Sequence, residues 1–187
     1  MRAALALLFF LAQPYWEAKP PEQWTASEIE MMRRASPWAQ IAEPAPGVLV
    51  WLATAQPIED AEAEARVRLK NPPPEPDPDY LDFLRENRET HFVLALSYPN
   101  ILRPSKSGEQ KTMEDDAAMV IGSKSHKIAG YFPPTPTDPV LRLVFLREVK
   151  ESDKTVLFRF YLPGLTFPER EVQFNVKELK YHGKLAM

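Results

Sequence analysis

Hydrophobic and polar positions divide the chain into short blocks whose period changes along its length. After Met1-Arg2, residues 3–12 are apolar without interruption. A second apolar stretch, residues 47–55 (GVLVWLATA), shows no alternation and reads as a central strand covered on both faces; residues 91–98 (HFVLALSY) read the same way. Between them Pro57 opens a helix in which Glu59, Asp60, Glu62 and Glu64 precede Arg66, Arg68 and Lys70, an order that suits the helix dipole. Glu62 with Arg66 and Glu64 with Arg68 form i,i+4 pairs worth a few tenths of a kcal/mol each, so this charge run is a solvated helix face. Asp77-Pro78 starts another helix carrying Tyr80, Leu81 and Leu84. Strand, helical crossover and strand together predict a βαβ-like unit, right-handed if its strands are parallel.

The clearest local signal is Trp24-Thr25-Ala26-Ser27-Glu28-Ile29. Thr25 can cap the free amides of a helix starting at Ala26, Glu28 can reach back to the Thr25 amide, and Trp24 can pack on Ile29. Ser36-Pro37 ends this helix, because a residue before proline avoids the α region. Ile29, Met32 and Ala35 then share one face, with Trp38 just beyond the end. That face either docks a partner or packs on its own domain.

Past the strand at 91–98 the pattern becomes more polar. Residues 99–116 are hydrophilic and of mixed charge, and a loop of this length is either functional or mobile. Residues 117–122 and 127–132 are expected to form a hairpin around 123–126. Residues 140–148 and 155–162 flank a turn at 151–154 and are expected to pair as a second hairpin. Pro163-Gly164 marks the next turn. In the strand that follows, Val172, Phe174 and Val176 alternate with Glu171, Gln173, Asn175 and Lys177, so one face is buried and the other wet. Leu179 and Tyr181 have the opposite parity, which demands a bulge, a bend or a new strand near Lys177-Glu178. The final KELKYHGKLAM is a last strand or a packed tail. The expectation is one α+β domain over residues 19–187, with a mixed or mainly antiparallel sheet and two or three helices in its N-terminal half.

Residues 1–18 read as an export signal and its flank. A basic residue followed by a short apolar run suits the secretory machinery, and the run is too short for the roughly 20 residues that span a bilayer. Such a run can also be a core segment of a cytoplasmic protein, or Met1 can be an internal start. Ala12 and Ala18 are the candidate cleavage positions, but each has a large residue, Phe10 or Trp16, at −3. No stable transmembrane span is expected unless the signal is retained, in which case Tyr15 and Trp16 would suit the membrane–water interface; after cleavage they would form a loose N-terminus.

Composition narrows the chemistry. At 187 residues, 44% hydrophobic and 26% charged, the chain can build one ordinary core. A formal net charge of −3 gives no field to collect nucleic acid. With 20 prolines against 6 glycines there is no Gly-rich phosphate loop, and the stiff proline segments at 71–78 and 133–139 divide the chain into blocks. There is no cysteine, which removes disulfides, thiolate metal sites and a lipid anchor on cysteine. His91, His126 and His182 lack metal-motif spacing and read as structural or surface residues. Ser97 lacks a nucleophile signature, and the Glu114-Asp115-Asp116 cluster lacks the alternation of a calcium loop. No catalytic, metal or cofactor-binding residue is assigned, and no cofactor is expected.

The motifs W-T-x-x-E at residues 24–28, S-P-W-A at 36–39 and Y-x-G-K-L at 181–185 resemble a group of uncharacterised exported bacterial proteins. The resemblance touches only the two ends of the chain and implies export, with no catalytic residues to transfer. The leading expectation is a non-enzymatic periplasmic or secreted protein that binds an envelope protein or a small ligand. The alternatives are an exported hydrolase or metal-dependent enzyme built from the 99–116 loop with His126, and a structural protein assembling through its late antiparallel edge.

Overall fold

The computed structural model describes residues 13–187; the apolar run of residues 3–12 lies outside the described residues. In chain order the elements begin with α1 (Tyr15–Ala18), α2 (Ala26–Arg34), β1 (Ala39–Ala42), β2 (Val48–Leu52) and α3 (Gln56–Arg68). α4 (Pro78–Asn87), β3 (His91–Ser97), α5 (Glu109–Asp116), β4 (Ala118–Ile121), β5 (Lys124–Lys127) and β6 (Gly130–Phe132) follow. The chain then forms β7 (Leu141–Leu146), β8 (Thr155–Tyr161), β9 (Glu169–Asn175), β10 (Lys180–Tyr181) and β11 (Lys184–Leu185). This is an α+β fold with its helices mainly in the N-terminal half, and the strands pair antiparallel in sheets of order β1-β2-β3-β7-β6, β5-β4-β8-β9 and β10-β11.

The helix signals act as their chemistry requires. The Thr25 side chain accepts from the Glu28 amide at 3.2 Å, and the Glu28 carboxylate accepts from the Thr25 amide at 2.7 Å, closing the capping box. Trp24, Ile29 and Met32 are fully buried, so the apolar face of α2 packs on its own domain, beside α3 and β1. Ala35 is exposed: it is the C-cap at φ −151°, already out of the helical turn that would carry it onto that face. In α3 the pairs form at 3.3 Å (Glu62–Arg66) and 2.8 Å (Glu64–Arg68).

The five-stranded sheet is covered on both faces, which explains the unbroken apolar runs. In β3 and β7 the paired residues Phe92 and Phe145, Leu94 and Leu143, and Leu96 and Leu141 have one parity. Phe92 and Phe145 meet Phe158 of the four-stranded sheet at centroid distances of 6.0 and 5.3 Å, and Phe158 meets Phe174 at 5.9 Å. The opposite parity, Val93 and Val144, packs with Tyr80 of α4. Arg142 shares that second face. It pairs with Asp138 at 2.6 and 3.2 Å, both residues being buried, and its guanidinium lies 4.4 Å from the centre of the Tyr80 ring.

Four expectations need correction. β2 and β3 are adjacent antiparallel strands, so the βαβ-like unit does not form; the two helices expected between them, one opening at Pro57 and one at Asp77-Pro78, are both present as α3 and α4. β7 and β8 form but do not pair with each other: β7 is buried on both faces and takes a central place between β3 and β6, whereas half-buried β8 lies between β4 and β9. The early hairpin turns at Gly122-Ser123, because Gly122 at φ +59° supplies the conformation a two-residue loop needs, and residues 130–132 join the other sheet as β6. The 99–116 segment ends in α5, whose single buried residue, Met113, leaves too little apolar period to betray a helix.

The C-terminal region behaves as parity demands. Val172, Phe174 and Val176 are buried, a turn at 176–178 reverses the parity, and Leu179 and Tyr181 are buried in turn. The tail forms a tight hairpin through His182 and Gly183, both at positive φ (49° and 77°). The outer edge of β9 is not free along its length: β1 lies beside it, and the Gln40 amide donates to the Gln173 carbonyl at 3.2 Å.

Candidate functional site

The register Leu96↔Leu141 brings the end of β3 beside the start of β7, and Tyr131↔Leu143 lays β6 on the other side of β7. Tyr98, Leu141 and Tyr131 thereby line one cleft of about 390 Å³. Ile101, Leu102, Arg103 and Ser105 of the loop after β3 supply one wall, Gln110 and Met113 of α5 a second, and Pro133, Pro134, Pro136 and Pro163 the remainder. Proline rings give a fixed apolar wall without exposing an amide donor. The cleft therefore combines rigid apolar walls with several polar groups that converge on it.

Those polar groups are neutral apart from Arg103. Tyr98 is buried, and burial together with the nearby Glu109 carboxylate pushes its hydroxyl up to about 12. Its only partner among the described residues is the Pro163 carbonyl, at a long 3.5 Å, so a better acceptor could capture this proton. Burial also raises Tyr131, with Glu114 adding to the effect. The Gln110 amide donates to the Tyr131 hydroxyl and to Glu114 at 3.2 Å, which fixes the amide across the cleft. Near neutral pH both phenols hold their protons and serve as hydrogen-bonding groups, not bases. The arrangement can grip a small molecule through an apolar body and one or two polar atoms.

The residues considered from the sequence are not gathered here. His91 begins β3, with Nδ1 2.8 Å from the Thr90 hydroxyl and its ring edge-on to Phe83. His126 sits on β5 opposite Met119, and His182 lies in the β10–β11 turn, 3.4 Å from Glu17. Ser97 closes β3 and, among the described residues, makes no side-chain hydrogen bond to a histidine or carboxylate. In the acidic cluster Glu114 accepts from Gln110, and Asp115 pairs with Lys111 at 3.2 Å. Asp116 lines a different, open depression of about 670 Å³ with Ser125, Lys127, Arg159 and Arg170. Strand alternation turns His126 away from Ser125 and Lys127, hence from that depression. Among the described residues no group of three His, Cys, Asp or Glu side chains stands close enough to hold a metal ion.

The depression beside Asp116 is larger but charged in both senses, and its Arg159 is already paired with Glu171 at 2.7 Å. Its one unusual group is the buried Arg170, whose Nη1 donates to the Phe167 and Glu169 carbonyls while Nε and Nη2 have no partner among the described residues. The Tyr98–Tyr131 cleft is the better ligand candidate because it is the more enclosed of the two and carries no acidic side chain in its lining. Sequence reasoning did not single it out: Tyr98 reads as a strand end, and 133–139 reads as a break. Tyrosines bordering proline segments were the only available signal. No family model, curated protein or solved structure matches the chain, so the functional reading rests on this geometry.

Proposed function

We propose that this is an exported, non-enzymatic binding protein that holds a small ligand in the Tyr98–Tyr131 cleft. The observation that carries the proposal is the cleft itself: about 390 Å³, walled by prolines and aliphatic side chains, with two protonated tyrosines, Gln110 and Arg103 at its surface. That combination and size fall within the range of sites for small molecules. Export is supported by the Arg2 and 3–12 pattern of the sequence. The test is a screen of small aromatic and aliphatic compounds against the ¹⁵N-labelled protein by chemical-shift mapping. Saturable shifts centred on Ile101, Gln110 and Tyr131 are expected, with the compounds recovered unchanged. Saturable binding centred elsewhere, or conversion of a bound compound, would overturn the proposal.

A further inference from the structure

The three short motifs singled out by the sequence, around Trp24, Trp38 and Tyr181, meet in one aromatic corner. Trp24 and Trp38 are fully buried. The Trp38 indole donates to the Ala186 carbonyl at 2.9 Å, and its ring stands edge-on to Tyr181 at 6.3 Å. The Trp24 indole donates to the Lys19 carbonyl at 3.2 Å.

Helix α1 closes this corner. Tyr15 packs edge-on against Trp24 at 5.6 Å, and Trp16 packs edge-on against Trp38 at 5.8 Å. The Tyr15 hydroxyl donates to the Glu28 carbonyl at 2.7 Å, and burial, reinforced by the Glu28 carboxylate, pushes that hydroxyl up to about 12. The Glu17 carboxylate accepts from the His182 amide at 2.8 Å, which joins α1 to the C-terminal hairpin. Lys19 pairs with Glu28 at 2.6 Å, on the carboxylate that completes the α2 capping box. Tyr15 and Trp16 are thus part of the domain, and neither the membrane-anchor nor the loose-terminus expectation describes them.

Resting on the export reading, we propose that the export cut falls upstream of Tyr15, at the Ala12-Gln13 bond, so that α1 stays with the mature domain. The sequence offers two small-residue positions, Ala12 and Ala18, and cannot rank them, since each has a large residue at −3. The fold does rank them. A cut at Ala18-Lys19 would strip the two rings that cover Trp24 and Trp38, together with the Glu17 acceptor. At Ala12-Gln13 the export machinery's peptidase adds water across the amide. The hydroxyl goes to the Ala12 carbonyl carbon, and the displaced Gln13 nitrogen takes the proton to become the new N-terminal amine.

The test is to express the full chain in a bacterial host and measure the intact mass of the product outside the cytoplasm. A mature chain beginning at Gln13 is expected. A product beginning at Lys19 and found outside the cytoplasm would overturn this inference and leave the export reading standing, whereas an unprocessed cytoplasmic chain would overturn both. In the exported product, Trp16→Ala should lower the melting temperature by about 5 °C or more, because an aromatic contact in the fold is lost. An unchanged melting temperature would contradict the role given to α1.

Discussion

Replacing Asp138 with alanine is the sharpest probe of how the proline segments are tied to the sheet. The Asp138 carboxylate accepts from Arg142 at 2.6 and 3.2 Å and from the Asp77 amide at 2.9 Å, at the start of α4. Asp138 is 2% exposed and Arg142 6%. The substitution would leave a buried guanidinium with only the Tyr80 ring as an electrostatic partner among the described residues. Breaking one side of a buried pair costs about 3–5 kcal/mol, and the orphaned Asp77 amide adds about 1 kcal/mol. Out of a total stability of about 5–15 kcal/mol this is a large fraction. Urea unfolding followed by tryptophan fluorescence should show the midpoint fall with little change in slope. Adding Arg142→Met to the same chain removes the stranded charge, so the double variant should be more stable than the sum of the single losses implies, by about 2 kcal/mol or more. A loss below about 1 kcal/mol for Asp138→Ala, or strict additivity in the cycle, would refute the reasoning.

Thr25→Ala removes one half of the capping box and should cost about 1 kcal/mol in the same assay. Glu28 is held below the usual carboxylate range, first by its hydrogen bond to Lys19 and then by the Thr25 amide. Its contribution should be complete above about pH 4.3 and disappear as pH falls through its lower folded value, so Glu28→Gln should flatten that part of the acid limb and leave less difference from wild type at the acid extreme. Tyr15 and Tyr98 are both raised to about 12, which favours their neutral forms in the folded state. Stability should hold up to about pH 10, the ordinary tyrosine value, and fall as pH rises towards 12; a Tyr15→Phe/Tyr98→Phe chain that declines just as steeply over that window would contradict this.

Elements whose signal is local were legible in the sequence. The α2 capping box, the α3 ion pairs, the Asp77 cap and the alternation of β9 all depend on residues within about four positions of one another. What was lost is non-local. The apolar runs of β3 and β7 identify strands buried on both faces, but a run without alternation carries no record of which strand lies beside it. Hence proximity in sequence points β7 to its neighbour β8, whereas the fold seats it between β3 and β6. The turn of β4 into β5 falls earlier than the apolar pattern suggests because Gly122, which the pattern joins to the preceding strand, is the residue that turns the chain. The cleft was hidden for a related reason: Tyr98, Gln110, Tyr131 and Leu141 come from four elements spread over more than forty residues. The antiparallel register of β3, β7 and β6 brings Tyr98, Leu141 and Tyr131 together, and α5 adds Gln110 through its hydrogen bond to Tyr131.

Ser105 is exposed on the loop and lines the cleft, so a tryptophan there can fill the space without disturbing the core. The most direct measurement compares wild type and Ser105→Trp by calorimetric titration with one compound that saturates the ¹⁵N spectrum, melting temperatures being checked in parallel. Binding in the Tyr98–Tyr131 cleft requires affinity to fall by about tenfold or more, roughly 1.4 kcal/mol, with the melting temperature unchanged. Equal affinity in the two proteins would show that the ligand sits elsewhere.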